Sequence, residues 1–110
     1  MNDAEYAVAF ELISAAGNAR SNAMLAVRAG RRGDMADARD LLERANEDLL
    51  AAHRIQTDLV QQEARGERVP VNVILVHAQD HLTAAMLATE LVAEIVHLQD
   101  ELRSVRGTSA

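Results

Sequence analysis

The 110-residue chain has the length of one small domain; 49% of it is apolar, with one Phe, one Tyr and no Trp. The net charge of −6 argues against nucleic-acid binding, and the lack of cysteine excludes a disulfide, a thiol nucleophile and a thiolate metal site. A core of Ala, Leu, Val and Ile suits closely packed helices, and Pro70 is the only helix-breaking proline. We therefore expect an all-α fold.

The sequence also predicts a cytoplasmic protein that does not insert into a membrane. Its first five residues are polar and acidic, unlike the positively charged start of a secretory signal. No uninterrupted apolar run approaches the ~20 residues that cross a bilayer.

Two glycine-containing segments divide the chain. In residues 30–34, glycines end one helix and Asp34 caps the next. In residues 65–70, Gly66 accepts a left-handed conformation and Pro70 disfavours helical geometry just before it. These breaks predict one domain, residues 1–110, with three helices.

The helix bounds follow from these breaks. Asn72 is the predicted N-cap of the third helix. The predicted elements are helices at about 3–30, 35–65 and 73–105 and a flexible tail at 107–110.

The first two helices carry apolar seams at alternating spacings of three and four. The first has the seam Tyr6, Phe10, Ile13, Gly17, Arg20, Met24 and Val27, beside the row Ala9, Leu12, Ala16, Ala19, Ala23 and Ala26. The second has Met35, Ala38, Leu42, Ala45, Leu49, Ala52, Gln56 and Leu59. This coiled-coil pattern, with short connections, predicts an antiparallel up-down-up three-helix bundle.

The third helix has two seams. The first consists of Ile74, His77, His81, Ala84, Ala88, Leu91, Ile95, Leu98 and Leu102. The second consists of Leu75, Ala78, Leu82, Ala85, Val92 and Val96, interrupted by Thr89. Because two narrow partner helices do not easily cover both seams, we expect another copy of the molecule to cover one, which predicts a homo-oligomer.

His77, Asp80 and His81 share one patch of the third helix because residues three and four apart are neighbours. The patch lies near the N-terminal end, where the helix dipole favours an anion. Imidazoles and a carboxylate on an aliphatic seam cost stability unless they are paired or exposed at a site. From the residues alone, three interpretations remain open: satisfied interface histidines, a metal site, or a nucleophilic histidine that attacks a phosphoryl group.

A family resemblance favours the third interpretation. Residues 75–82 (LVHAQDHL) resemble the active-site motif of the lactose/cellobiose/chitobiose IIA proteins of the bacterial sugar phosphotransferase system. Further stretches match the same family in the same order: residues 17–21 (GNARS), Ala52-His53 with Gln56-Thr57, Glu63-Ala64 and Gly66-Glu67. The similarity spans roughly residues 10 to 103, which makes it far more specific than one histidine motif.

The resemblance implies a homotrimer in which the third helices meet around the axis. It implies that His77 is the phosphorylated residue and that His81 lines the same site. It also implies that Asp80 and its two symmetry mates hold a divalent cation, which we expect to be Mg²⁺. A cation there makes physical sense, because three converging carboxylates repel one another.

The implied activity is a phosphotransferase relay. The phosphohistidine carrier protein (HPr) phosphorylates His77, which passes the group to a cysteine of a IIB component during uptake of a β-linked disaccharide. Gln79, His53 and Gln56 are candidate supports of the phosphate site. An apolar rim, to which we assign Leu75 and Ala78, is the expected docking surface. The alternatives are a non-catalytic trimeric helical adaptor and a metal-binding regulatory relative; the sugar itself is not readable from the sequence.

Overall fold

The computed structural model describes residues 3–109, which form three α-helices. They are α1 (Asp3–Arg31), α2 (Met35–Ala64) and α3 (Val73–Ser109), and no strand occurs within the described range. The bundle is elongated, with extents of 62 × 22 × 18 Å. Contacts of Asn22 with Asp48 and of Arg39 with Asp100 show that each helix runs antiparallel to the next. The predicted all-α, up-down-up bundle is confirmed.

The turn between α1 and α2 has the predicted chemistry. Gly33 adopts a positive φ of 84°, a conformation open to a residue without a Cβ. Asp34 caps α2, because its side-chain Oδ1 accepts a hydrogen bond from the Asp37 backbone N–H at 3.1 Å. The reversal therefore needs no long loop.

The turn between α2 and α3 also follows the sequence. Gly66 has a φ of 86°, and the Glu67 N–H donates back to the Gln62 carbonyl at 3.1 Å, which closes the end of α2. Asn72 caps α3 by accepting the Leu75 N–H at 2.9 Å. The predicted cap is confirmed.

Helix α3 extends four residues past its predicted end at Val105, so residues 107–109 are helical and not a separate tail. A single glycine, Gly107, costs a helix only about 1 kcal/mol, and no proline follows to stop it. Residue 110 lies outside the described range.

The core is built from the alanine-rich row of α1. That row is fully buried, whereas Tyr6 and Phe10 of the neighbouring seam stay 38% and 56% exposed. The core residues on α2 and α3 are Met35, Ala38, Ala45, Ala52, Ala78, Leu82, Ala85, Val92 and Val96. Small side chains at the contacts let the helices approach closely, and α1 packs along both partners.

One protomer covers one of the two α3 seams. The seam that starts at Leu75 packs into the core, but the other stays in solvent, with Leu91 54%, Leu98 60% and Leu102 51% exposed. By length and composition alone this helix could cross a membrane, as the core helix of a soluble protein often could. Here its buried seam packs against α1 and α2. The uncovered seam, together with the exposed Asp80, Leu87 and Val105 beside it, is called the α3 stripe below.

Candidate functional site

His77 and His81 touch at the start of the α3 stripe. Their Nε2 atoms lie 3.0 Å apart, and their rings meet edge to face with centroids 4.5 Å apart. This distance is that of a hydrogen bond, so one Nε2 carries a proton and the other offers a lone pair. At least one of the two imidazoles is therefore neutral in this arrangement.

The two rings differ in accessibility. The His77 side chain is exposed, whereas that of His81 is half-buried. An exposed imidazole is a nucleophile that a visiting molecule can reach once the neighbouring ring releases its Nε2 lone pair, and until then the neighbour can fix its orientation. The geometry therefore favours His77 as the reacting ring and His81 as its partner.

Asp80 lies on the same stripe, three residues after His77, and is exposed. Among the described residues of a single chain, no three metal-ligating side chains come together. One carboxylate per protomer does not make a cation site, because Mg²⁺ requires about six oxygen ligands. Asp80 can therefore fit a divalent cation only where carboxylates from other copies and water complete the shell.

The three proposed support residues lie elsewhere in the protomer. Gln79 lines a groove with Leu75 on the far side of α3 from the stripe. His53 is exposed and lines a different groove between α2 and α3, beside Met86. Gln56 is half-buried, and its Oε1 is enclosed without a hydrogen-bond partner in the described structure. Within one protomer, none of the three is brought to His77.

One predicted rim residue is misplaced. Ala78 is 0% exposed and belongs to the core, so it cannot take part in docking. The reason is its angular position, since it falls on the buried seam of α3 rather than on the seam of His77. Leu75 is half-buried and does reach a surface groove.

That groove lies where α2 ends and α3 begins. It has a volume of about 410 Å³ and is lined by Leu59, Val60, Glu63, Ala64, Val69, Leu75 and Gln79. Separately, Val71, Val73 and Val76 stand exposed where α3 begins, by 79%, 84% and 48%. Sequence reasoning missed these valines; their crowding around the start of a helix is a signal that could have revealed them.

Comparison with known proteins places the chain in a family. Residues 7–100 match the family model of the "PTS system, Lactose/Cellobiose specific IIA subunit". The chain is 42% identical over 109 residues to the lichenan-specific phosphotransferase enzyme IIA component of Bacillus subtilis (strain 168), covering 99% of both chains.

Solved structures agree in fold. The crystal structure of the PTS cellobiose-specific enzyme IIA from Bacillus anthracis superposes with a TM-score of 0.90 at 42% identity, over 94% of this chain and 95% of that one. The IIA(chitobiose)–HPr complex of the Escherichia coli phosphotransferase system contains a chain with a TM-score of 0.79 at 35% identity, over 94% and 99%. The chain thus belongs to the lactose/cellobiose-specific IIA family and is a phosphotransferase component.

Proposed function

We propose that His77 carries a phosphoryl group between two partner proteins, accepting it from the phosphohistidine carrier protein and passing it to a cysteine of a IIB component. The observation that carries this proposal is the exposed His77 ring, paired through Nε2 with His81 at 3.0 Å. The chain itself has no cysteine, so the second acceptor belongs to another protein.

The transfer begins with the lone pair of His77 Nε2 attacking the phosphorus atom. The P–N bond to the protonated donor imidazole breaks in line with the attack, and that ring leaves as a neutral imidazole that keeps the bonding electron pair as its lone pair, while His77 keeps the proton on its Nδ1 atom. His81 gives up its contact with His77 and donates its Nε2–H to a phosphoryl oxygen. Because this chemistry needs little covalent help, positioning and charge stabilisation supply most of the rate.

The second step reverses the roles. A cysteine thiolate of the IIB component attacks the phosphorus, the P–N bond to His77 breaks, and the ring returns to its neutral form with the lone pair back on Nε2. The phosphohistidine bond keeps a high transfer potential, so little free energy is lost along the relay.

The exposed valines at the start of α3 support docking of both partners. Val73 lies one turn before His77 on the same helix and is 84% exposed, and Val76, 48% exposed, directly precedes His77. Exposed apolar patches of this kind mark protein contacts. The similar IIA(chitobiose) protein was solved in complex with HPr, which supports HPr as the donor.

The proposed assembly is a homotrimer around the α3 stripe. Its uncovered leucines give each protomer an apolar face to bury, and Asp80 lies on that face. Asp80 and its two symmetry mates would hold a divalent cation, expected to be Mg²⁺, whose charge offsets the repulsion among the carboxylates. In this assembly His53 and Gln56 of a neighbouring copy are the candidates to approach the phosphate site; Gln79 remains a further candidate.

The proposed setting is the cytoplasm, in uptake of a β-linked disaccharide of the lactose, cellobiose or chitobiose type. Names of the similar proteins support this sugar class. Recognition of the individual sugar would fall to the membrane component.

The test is transfer of labelled phosphate from phosphorylated HPr to the purified chain. Wild type should gain an acid-labile label, and His77→Ala should gain none. His97→Ala is the matched control, because His97 is an exposed histidine on the same helix, paired with Glu101 at 3.1 Å. Absence of label on the wild type would favour a non-catalytic adaptor or a metal-binding regulatory relative.

A further inference from the structure

A groove rich in arginine lies at the opposite end of the bundle from His77. It has a volume of about 490 Å³ and is formed by the end of α1, the first turn and the last part of α3. Its lining residues are Gly30, Arg31, Arg32, Gly33, Gln99, Leu102, Arg103 and Arg106. Four of the chain's 11 basic residues therefore meet at one place in a protein with a net charge of −6.

The sequence shows only half of this cluster. Arg31 and Arg32 are adjacent at a helix C-terminus, where cations are favoured by the helix dipole whatever else they do. The structure adds Arg103 and Arg106, about 70 residues away in sequence, from a second helix. Arg106 lies in the last turn of α3, where the dipole of that helix favours a cation in the same way, but Arg103 lies before that turn and is not explained by either dipole.

The end of α1 does not need these arginines as hydrogen-bond caps. The Arg28, Ala29 and Gly30 carbonyls accept the backbone N–H groups of residues 32, 34 and 33 at 3.2, 3.0 and 3.0 Å. The Gln99 side-chain Nε2 donates to the Val27 carbonyl at 3.0 Å. The backbone and one amide thus close the helix, which leaves guanidinium donors for other acceptors.

The nearby carboxylates are largely engaged by other side chains. Asp100 pairs with Arg39 at 3.0 Å. Glu101 pairs with His97 at 3.1 Å.

Within the groove, one carboxylate contact is weak. Arg32 reaches Asp37 at 3.7 Å, and both side chains are largely exposed. Over the described part of the chain, Arg31 and Arg103 form no ion pair or side-chain hydrogen bond. The groove therefore presents at least two exposed guanidinium groups without a protein acceptor among the described residues.

From this groove we infer a binding site for the phosphate group of a small organic phosphate. A guanidinium group is planar and donates two parallel hydrogen bonds, here called a fork, to one phosphate group. Two or more such forks around a concave surface match a doubly charged phosphate monoester. The volume is that of a small-molecule pocket, and Gly30 and Gly33 of the turn provide an uncharged wall for the rest of the ligand. The site does not depend on phosphotransfer by His77.

Titration of the ¹⁵N-labelled protein with glucose 6-phosphate and with inorganic phosphate tests the site. Saturable shifts are expected in the backbone amides of residues 30–33 and 99–106, with the same affinity in His77→Ala. The Arg31→Ala/Arg103→Ala variant should bind about ten-fold more weakly or worse. Arg54→Ala/Arg68→Ala is the matched control, because it removes the same charge from exposed sites outside the groove and should bind as wild type.

A second arm identifies the source of the phosphate. Sedimentation with phosphatidic acid–phosphatidylcholine vesicles that is lost in Arg31→Ala/Arg103→Ala assigns the groove to a lipid phosphate monoester. Saturable binding of glucose 6-phosphate alone assigns it to a free phosphate. Arg31→Lys/Arg103→Lys keeps the charge but loses the forks, so weaker binding by this variant supports the site even where the alanine variant fails to fold. The inference is overturned if no probe binds saturably, if shifts centre on residues 73–81, or if the control pair weakens binding equally.

Discussion

At the scale of single residues, the contact between two imidazoles does the most to define the site. His81 is half-buried and His77 is exposed, and their Nε2 atoms lie 3.0 Å apart, so a single helix turn would provide the proposed hydrogen-bond donor and nucleophile. The spacing of four residues that makes this contact is visible in the sequence, because an α-helix brings such positions together.

Replacing His81 tests this division of roles. His81→Ala should slow phosphorylation of His77 by about ten-fold, the effect of losing one hydrogen bond worth roughly 1.4 kcal/mol in the transition state. His81→Gln keeps an N–H donor and should retain most of the rate. Single-turnover transfer from phosphorylated HPr measures both; equal losses in the two variants would mean that the donor is not what His81 contributes.

The sequence predicts the role of a residue correctly where that role depends on neighbours within one helix turn. It does not do so where the role depends on how the helices pack against one another. Asn72 and Asp34 act as caps as predicted, since a cap depends on residues three positions away. Ala78 was wrongly assigned to the docking rim because the choice between two apolar seams of α3 depends on the other helices. Arg103 was not connected with Arg31 for the same reason, since no local pattern joins residues on different helices.

At the scale of the helices, alanine sets the distance between neighbours. The heptad-like spacing predicts the bundle, but it does not show which face of α1 is buried. The seam of Phe10 and the alanine-rich row that contains Leu12 are both apolar and have the same period. The structure buries the smaller side chains, which lets the backbones approach, and leaves the larger ones half-exposed on the outside.

Enlarging one core alanine should therefore be costly. Ala52 is 0% exposed in the core, so Ala52→Leu should lower the free energy of unfolding by about 1–3 kcal/mol through overpacking. The neighbouring Ala51 is exposed, and Ala51→Leu should change the unfolding free energy by less than about 0.5 kcal/mol. Urea denaturation followed by circular dichroism compares the two; similar values would show that the helices are not closely packed there.

At the scale of the whole molecule, the α3 stripe is the main unsatisfied feature. The sequence predicts that one of the two apolar seams of α3 has no partner helix within the protomer. The exposed leucines of that seam confirm this prediction. The number of copies that cover it does not follow from one chain, because a single protomer does not fix the symmetry.

A charge on the stripe should break the assembly. Ile95→Asp is expected to convert the proposed oligomer to monomers while helicity is kept. Ile95 is 40% exposed in the protomer and would be buried between copies, where an unpaired carboxylate is strongly unfavourable. Ala93→Asp adds the same charge at an exposed position off the stripe and should leave the mass unchanged. Light scattering after size exclusion reports both masses. A wild-type protein of monomer mass would contradict the proposed trimer.

The axial cation has a separate test in Asp80. The wild-type oligomer should lose stability with a chelator, because the carboxylates then repel one another without a counter-charge. Asp80→Leu replaces that repulsion with apolar packing and should hold its mass with or without chelator. An oligomer indifferent to both the substitution and the chelator would exclude the cation.

The most direct measurement is the discharge of isolated phosphorylated protein by the IIB component, with the modified residue mapped by mass spectrometry under neutral conditions. We predict one phosphoryl group per chain, located on His77. It should disappear from this protein as a phosphocysteine appears on the IIB component. A phosphoryl group found on His53, His81 or His97 instead, or a phospho-His77 that the IIB component cannot discharge, would contradict it.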